Sequence, residues 1–254
     1  MPVHALASMT WTELRDLPRR AMVAILPMGA LEAHGPHLPL ATDIIIADAM
    51  ARAGAARLSA RGFEVVCLPA VPFAPAPFAA AFPGTIHVSS KATQLVIAGV
   101  VHSLAEHGIR VIAIANAHHD PAHVDAIRAA VADMSSEGQT IVVFPDLTRR
   151  RWAERLTDEF RSGACHAGRY ESSIVMAAQP NEVRADLLQT LPPNPRSLVR
   201  AIRSGQQTFA EAGGGHAYFG APHEATVEEG REIIDVLGAI IEEAVLDALP
   251  GDMR

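Results

Sequence analysis

Residues 110–121 read RVIAIANAHHDP, and this stretch decides the fold. An unbroken apolar run ends at Asn116, Ala117 follows, and then come His118, His119, Asp120 and Pro121. A continuous apolar run, unlike an alternating one, marks a strand buried on both faces, which is how strands of a parallel sheet sit. Pro121 suits the first turn of a helix, where its missing N–H would have no partner in any case. Strand, polar turn and helix make one unit of an α/β fold, and open sheets of that kind bind ligands beyond the carboxyl ends of their strands. The turn 117–120 is therefore a candidate site.

The same rhythm extends in both directions. MVAILP at 22–27 precedes a helical pattern over 43–60, and FEVVCLP at 63–69 precedes another over 90–108. PAHVDAIRAAVADMSSEG at 121–138 leads to TIVVFPD at 140–146. The pattern predicts an α/β three-layer sandwich with a mostly parallel central sheet, formed by one domain over 1–254. Beyond Asp146 it loosens into SGACHAGRYESS at 162–173, LPPNPRS at 191–197 and GGGHAYFGAPHEAT at 213–226, before a terminal helix from Val227 to about Leu249.

Composition bounds the function. The chain has 254 residues, 49% hydrophobic and only 5% aromatic, so its core is built from Ala, Val, Leu and Ile rather than from disulfides or repeats. It holds 12 His against 2 Cys, and Cys67 and Cys165 lie far apart, which excludes zinc fingers and Cys-x-x-Cys chemistry. A net charge of -7 opposes a nucleic-acid role; the Arg19–Arg20 pair and the Arg149–Arg151 triplet read as solvated surface. The start of the chain has no signal-peptide pattern, and no run of about 18 apolar residues appears, so a soluble cytoplasmic protein without a membrane partner is expected.

A second polar cluster follows the first strand. In the loop 28–43, Glu32 and His34 are two apart, so in an extended segment they point to one side, and an oxygen with an imidazole nitrogen suits a divalent metal. A loop hydrogen-bond network is the alternative for this pair. Asp43 opens the next helix as either N-cap or ligand, since a carboxylate can cap with one oxygen and bind metal with the other. In the turn after Asn116, His118 and Asp120 face one side and His119 the other; Asp120 reads equally as cap or ligand.

These segments together resemble the creatininase (creatinine amidohydrolase) family. The resemblance rests on Gly29-Ala-Leu-Glu32-Ala-His34-Gly-Pro-His37-Leu-Pro-Leu-x-Thr-Asp43, Phe82-Pro-Gly-Thr85, Asn116-x-His118, His166-Ala-Gly-x-x-Glu171 and Gly220-Ala-Pro-x-x-Ala-Thr226. It implies two divalent ions, Zn, Mn or Fe, that hydrolyse a carbon–nitrogen amide bond. Such a pair, about 3.5 to 4 Å apart, polarises a carbonyl and lowers the pKa of a shared water toward about 7. By the same resemblance Glu32, Asp43 and His118 hold one ion. His34, the bridging Asp43 and either Asp120 or Glu171 hold the other. His166, with Glu171 beside it, is implied as the catalytic group that protonates the leaving nitrogen. His37, Phe78, His119 and Trp152 are taken as substrate contacts, and Cys165 as a small packing residue.

The implied substrate is a small cyclic amide or lactam. A formamide deformylase, a short-peptide amidase or a metal-stabilised binding protein without turnover are the alternatives. Relatives also imply a homo-oligomer such as a hexamer, for which apolar loops like APAPFAAAF at 74–82 offer a surface. Two departures bear on the substrate: Ala117-His118-His119-Asp120 replaces a Gly-rich run, and the apolar stretch from Phe73 to Phe82 replaces a polar one, with Ala76 at a serine position.

Overall fold

Five strands form one parallel sheet in the computed structural model, which describes residues 3–19, 21–138 and 140–251. They are β1 (Val3–Ala5), β2 (Met22–Met28), β3 (Glu64–Cys67), β4 (Val111–Asn116) and β5 (Ile141–Val143), in the spatial order β1-β3-β2-β4-β5. The helices are α1 (Trp11–Asp16), α2 (Thr42–Ala60), α3 (Ser90–Glu106), α4 (Pro121–Glu137), α5 (Arg150–Ala153), α6 (Asp158–Ser162), α7 (Arg169–Ala178), α8 (Ala185–Leu188), α9 (Leu198–Arg203) and α10 (Val227–Ala248).

Alternate side chains of each strand divide the core in two, because successive residues of a strand face opposite sides of the sheet. Met22, Ala24, Leu26, Met28, Ile112 and Ile114 pack with Ile97, Val101 and Leu104 of α3 and Ile127 of α4. Val23, Ile25, Val111, Ala113 and Ala115 pack on the other face against α2, α7 and α10, through Met50, Leu58, Ile174, Leu237 and Ile240. β2, β3 and β4 are buried on both faces, which is why they read as nearly continuous apolar runs. The expected three-layer sandwich is the observed fold.

Helix starts follow from local hydrogen bonding. Ser89 accepts the Ala92 N–H to open α3, and Thr226 accepts the Glu229 N–H to open α10. α2 begins without a side-chain cap: Ala41 stands at the cap position, and Asp43 lies inside the first turn. β1 and α1 were not anticipated, since a three-residue edge strand is too short to show a pattern. β5 is shorter than the run 140–146 suggests.

The basic triplet lies on an ion-paired surface, with Arg149 on Asp146, Arg150 on Glu154, and Arg151 on Glu243 and Asp247; Arg20 lies outside the described residues. Ala74 and Ala76 are buried within the chain itself, so the 74–82 loop offers little outward apolar surface beyond its phenylalanines. Among the described residues no helix is long and apolar enough to cross a membrane.

Candidate metal centre

β2 and β4 are neighbours, and their register sets Met28 opposite Asn116, so the two polar clusters leave the sheet side by side. Gly29 follows at once and must be small: a Cβ there would stand 2.7–2.8 Å from the Asp43 and Ile44 backbone. This close approach brings the first turn of α2 against the end of β2. Asp43 is thereby aimed into the site, where its Oδ2 accepts the Ala30 N–H at 3.3 Å. Asn116 shapes the second turn: its Nδ2 donates to the His118 carbonyl at 2.6 Å, and its Oδ1 accepts the His118 N–H and faces Nε2 of His123.

Three groups of ligand atoms result. Glu32, Asp43 and His118 form one, His34, Asp43 and Glu171 a second, and Glu32, His34 and His166 a third, each with its ligand atoms within 4.8 Å of one another. Asp43 is common to the first two. Its Oδ2 lies 2.9 Å from His118 Nδ1 and its Oδ1 3.2 Å from His34 Nε2. Glu32 Oε1 is 3.3 Å from His118 Nδ1, and Glu171 Oε2 is 3.5 Å from His34 Nε2. All six side chains are buried.

A metal-free hydrogen-bond network here requires both histidine rings to carry two protons. His118 Nε2 donates to the Pro75 carbonyl at 2.7 Å, and His34 Nδ1 donates to the Glu32 carbonyl at 3.0 Å. With those protons committed, the opposite nitrogens face carboxylates, an arrangement that either a second ring proton or a bound cation satisfies. His34 Nε2 accordingly makes no hydrogen bond although three carboxylates stand within 3.9 Å. The donor set of carboxylates and imidazoles suits Zn or Mn. The residues therefore fit a divalent metal centre.

Electrostatics report the same demand. Burial alone would depress His34, but Asp43, Glu171 and Glu32 raise its pKa to about 10; His118 is raised well above its usual value by Glu32 and Asp43 in spite of burial. Burial pushes Glu171 up to about 8, with His34 opposing and Asp43 adding to the rise. Burial also works against ionised Asp43 and Glu32, yet the facing histidines hold both below the normal carboxylate range.

Glu171 reaches the site from the first turn of α7. The Ala167 N–H donates to its Oε2 at 2.7 Å, and Ala167 adopts a left-handed conformation, φ 49°, which is costly for an alanine and is held by its full burial. Outside that turn, the Glu159 carboxylate accepts the Tyr170 and Ala221 N–H groups at 2.7 and 2.8 Å, tying the start of α7 to the 220 loop. His166 donates from Nε2 to the Ala33 carbonyl at 3.0 Å. Its ring lies between those of His34 and Phe209, at 4.3 and 4.4 Å, and its Nδ1 stands 3.8 Å from Glu32 Oε1. Burial, then the positive His34, lowers its pKa to about 4.

A cavity of about 590 Å³, its open mouth included, leads to these groups. Phe78, His119 and Asp120 line it, as does Cys165, whose thiol burial keeps far from ionising. Asp120 caps α4, with Oδ1 accepting the Ala122 N–H at 2.8 Å, and it belongs to none of the three groups. Its Oδ2 makes no well-formed hydrogen bond, the Phe78 amide being its polar neighbour.

Two expected substrate contacts lie elsewhere. His37 sits behind the site, its Nε2 2.9 Å from the Ser172 hydroxyl, because the left-handed Gly35 turns the loop inward before it. Trp152 packs in the α2–α10 core with Arg151 stacked over it at 4.2 Å. Sequence reasoning missed the opposite wall of the cavity, formed by Leu198, Val199 and Ile202 of α9 and by Phe209. The helical spacing of Leu198 and Ile202 is a signal that could have found part of it; Phe209 stands in irregular chain and gives none.

A family model described as creatinine amidohydrolase matches residues 7–245. The chain belongs to the creatininase family. It is 29% identical over 225 residues to the mycofactocin precursor peptide peptidase of Mycobacterium tuberculosis (strain H37Rv), covering 86% of this chain and 82% of that one. It is 25% identical over 203 residues to the creatinine amidohydrolase of Pseudomonas putida, covering 73% and 75%. Among solved structures, a creatininase in a manganese form superposes with a TM-score of 0.69 at 21% identity, covering 98% of this chain and 100% of that one. A creatininase variant of Zn–Zn type, also 21% identical over 98% and 100%, gives 0.70.

Proposed function

We propose that the protein is a divalent-metal-dependent amidohydrolase that holds two ions. The observation that carries this reading is the shared Asp43, whose two oxygens face nitrogens of two different histidines. Glu32, Asp43 and His118 would hold one ion, and His34, Asp43 and Glu171 the other. When bound, such a pair supplies a nucleophile from water at neutral pH and polarises the amide carbonyl.

The chain's own residues do the rest. His166 has its Nε2–H committed to the Ala33 carbonyl, so Nδ1 is the atom that takes a proton and returns it to the leaving nitrogen. Phe209 and His34 hold that ring between them, which fixes the direction of transfer. Ala167 fixes Glu171 through its N–H. Phe78, Leu198, Val199, Ile202 and Phe209 exclude water from the approach and bind an apolar group beside the scissile bond.

The apolar wall, with the likeness to a peptide peptidase, supports a short peptide as substrate. A small cyclic amide is the second reading, supported by the burial of Glu32, His34 and Asp43 at 3% exposure or less. Elemental analysis together with turnover of matched peptides, formamides and lactams tests both. Close to two equivalents of metal and chelator-sensitive hydrolysis are expected. Full activity in metal-free protein would sink the reading, and metal retention without turnover would favour a binding role. The proposal includes a homo-oligomer, supported by the exposed Phe73, Ile86, Leu95 and Val96; light scattering that reads a monomer would reject it.

A further inference from the structure

Five of the 12 histidines are buried: His34, His37, His118, His123 and His166. Three of them belong to the groups of ligand atoms, whereas His37 and His123 belong to none and do not line the cavity, although both stand at 0% exposure. Burying an imidazole costs free energy unless its polar atoms are matched, so two such rings behind a polar site call for a reason. In each ring Nδ1 has no hydrogen-bond partner, and Nε2 makes the side-chain bond.

Both Nε2 atoms bond to residues that adjoin metal-facing ones. His123 Nε2 is 2.9 Å from Asn116 Oδ1, and because Asn116 Nδ2 donates to the His118 carbonyl, that oxygen can only accept. The His123 ring therefore carries its proton on Nε2. It stands in the first turn of α4, 5.1 Å from the His118 ring, and fixes the amide that holds both the N–H and the carbonyl of His118. His37 Nε2 is 2.9 Å from the Ser172 hydroxyl oxygen; donation from Nε2 leaves only a lone pair unmatched at Nδ1, which costs less than a buried N–H without an acceptor. That bond joins the loop carrying Glu32 and His34 to the turn of α7 in which Ser172 follows Glu171. The Ala167 carbonyl also lies near the His37 ring, and the Ala167 N–H holds Glu171 Oε2. Burial keeps each ring in its neutral form, His37 with its pKa lowered to about 4 and His123 well below its usual value.

We propose that His37 and His123 are positioning residues, one behind each ion. His123, through Asn116, sets His118 for the ion held with Glu32 and Asp43. His37, through Ser172, sets Glu171 against His34 for the other. This rests on the two-ion reading above and divides the support of the centre between two separate bonds. Removing a hydrogen-bond partner that orients a metal ligand weakens metal binding by about 10- to 100-fold, so each substitution should weaken one ion and spare the other.

The test titrates metal-free full-length protein with zinc against a chromophoric chelator, both in the wild type and in Glu171→Gln, which should keep only the position of Glu32, Asp43 and His118. His37→Met and Ser172→Ala should each weaken one of the two wild-type ions by about 10- to 100-fold and leave the ion retained in Glu171→Gln unchanged. His123→Met should weaken that retained ion by the same factor. Met fills buried space flexibly without a donor, so its effect is the loss of the bond rather than a cavity. His37→Gln and His123→Gln keep an amide donor and should recover most of the affinity. Should a Met variant fail to fold, Ser172→Ala removes the His37 bond from its other end, and His123→Asn, polar but too short to reach Asn116, removes the second. Unchanged affinities in these variants, weakening of both ions by either substitution, or Gln variants no better than Met overturns the positioning roles. A wild-type protein that binds fewer than two equivalents of zinc rejects the two-ion reading instead.

Discussion

Oδ1 of Asp43 lies 3.2 Å from Nε2 of His34, a buried nitrogen that no hydrogen bond satisfies. The other oxygen of the same carboxylate faces His118, so one side chain serves the first two groups. Asp43→Ala should therefore empty both positions together. Elemental analysis is expected to show loss of both equivalents. Activity should fall by at least about 10²-fold, the size reached when even an outer partner of a metal ligand is removed. A variant that keeps one equivalent contradicts the shared role.

Glu171 and Asp120 make opposite predictions. Glu171→Gln should lose about one equivalent of metal, because Glu171 alone of the two reaches His34. Asp120→Ala should keep both and lose roughly 1 kcal/mol of stability, since its Oδ1 caps α4. Metal content and urea denaturation of the two variants, measured side by side, check this. Metal loss in Asp120→Ala with full metal in Glu171→Gln would reverse the assignment.

The chelated protein should be less stable in alkali. His34, raised from 6.5 to about 10, binds its proton more tightly in the folded state; that stabilisation is complete below 6.5 and lost as pH rises through about 10. Glu171, raised from 4.5 to about 8, acts in the same sense and is lost through about 8. His37, His119 and His166, each lowered to about 4, act oppositely and cost stability as pH falls from 6.5 toward 4. The melting temperature with chelator should thus be highest in mildly acidic to neutral buffer. Metal competes with those protons, so the gap between loaded and chelated protein should widen with rising pH. Calorimetry at stepped pH reads both, and a gap independent of pH speaks against ligation by His34.

His166 and Cys165 are neighbours with different expected effects. His166→Gln should lower kcat by about 10²–10⁴-fold with metal content intact, the range for loss of a general acid–base. Cys165→Ala should keep near-normal activity, because burial holds that thiol far from the reactive thiolate. Metal loss in His166→Gln would make His166 a ligand through the third grouping, Glu32, His34 and His166.

The parts legible in the sequence were those set by local pattern. The central strands and long helices announce themselves as continuous apolar runs and helical repeats, and α2, α3, α4 and α10 begin within one residue of the expected starts. Glu32, His34 and His118 were legible by spacing and by their place after strands. Whether Asp120 or Glu171 joins His34 was not, because Glu171 arrives from a helix more than 130 residues away, and only the packing of α7 on α2 and α10 decides it. His37 and Trp152 mislead for a related reason: a polar or aromatic residue near a motif says nothing of which way a turn points it. The roof over the cavity was the least legible, since 191–226 is held by single bonds such as Phe209 N–H to the Phe78 carbonyl rather than by periodic structure.

That roof has an evolutionary consequence. All metal-facing side chains precede residue 172, whereas α9 and Phe209 follow residue 197. The roof meets the site segments through backbone hydrogen bonds of Leu198 with Gly163, Phe209 with Phe78, Ala217 with Gly35 and Phe219 with His166. The metal-facing side chains and most of the cavity wall thus come from separate stretches of one chain, joined where Phe209 lies against the His166 ring. Sequence change at Leu198, Val199 or Ile202 can redraw the wall without touching a metal-facing side chain, whereas change at Phe209 also loosens His166.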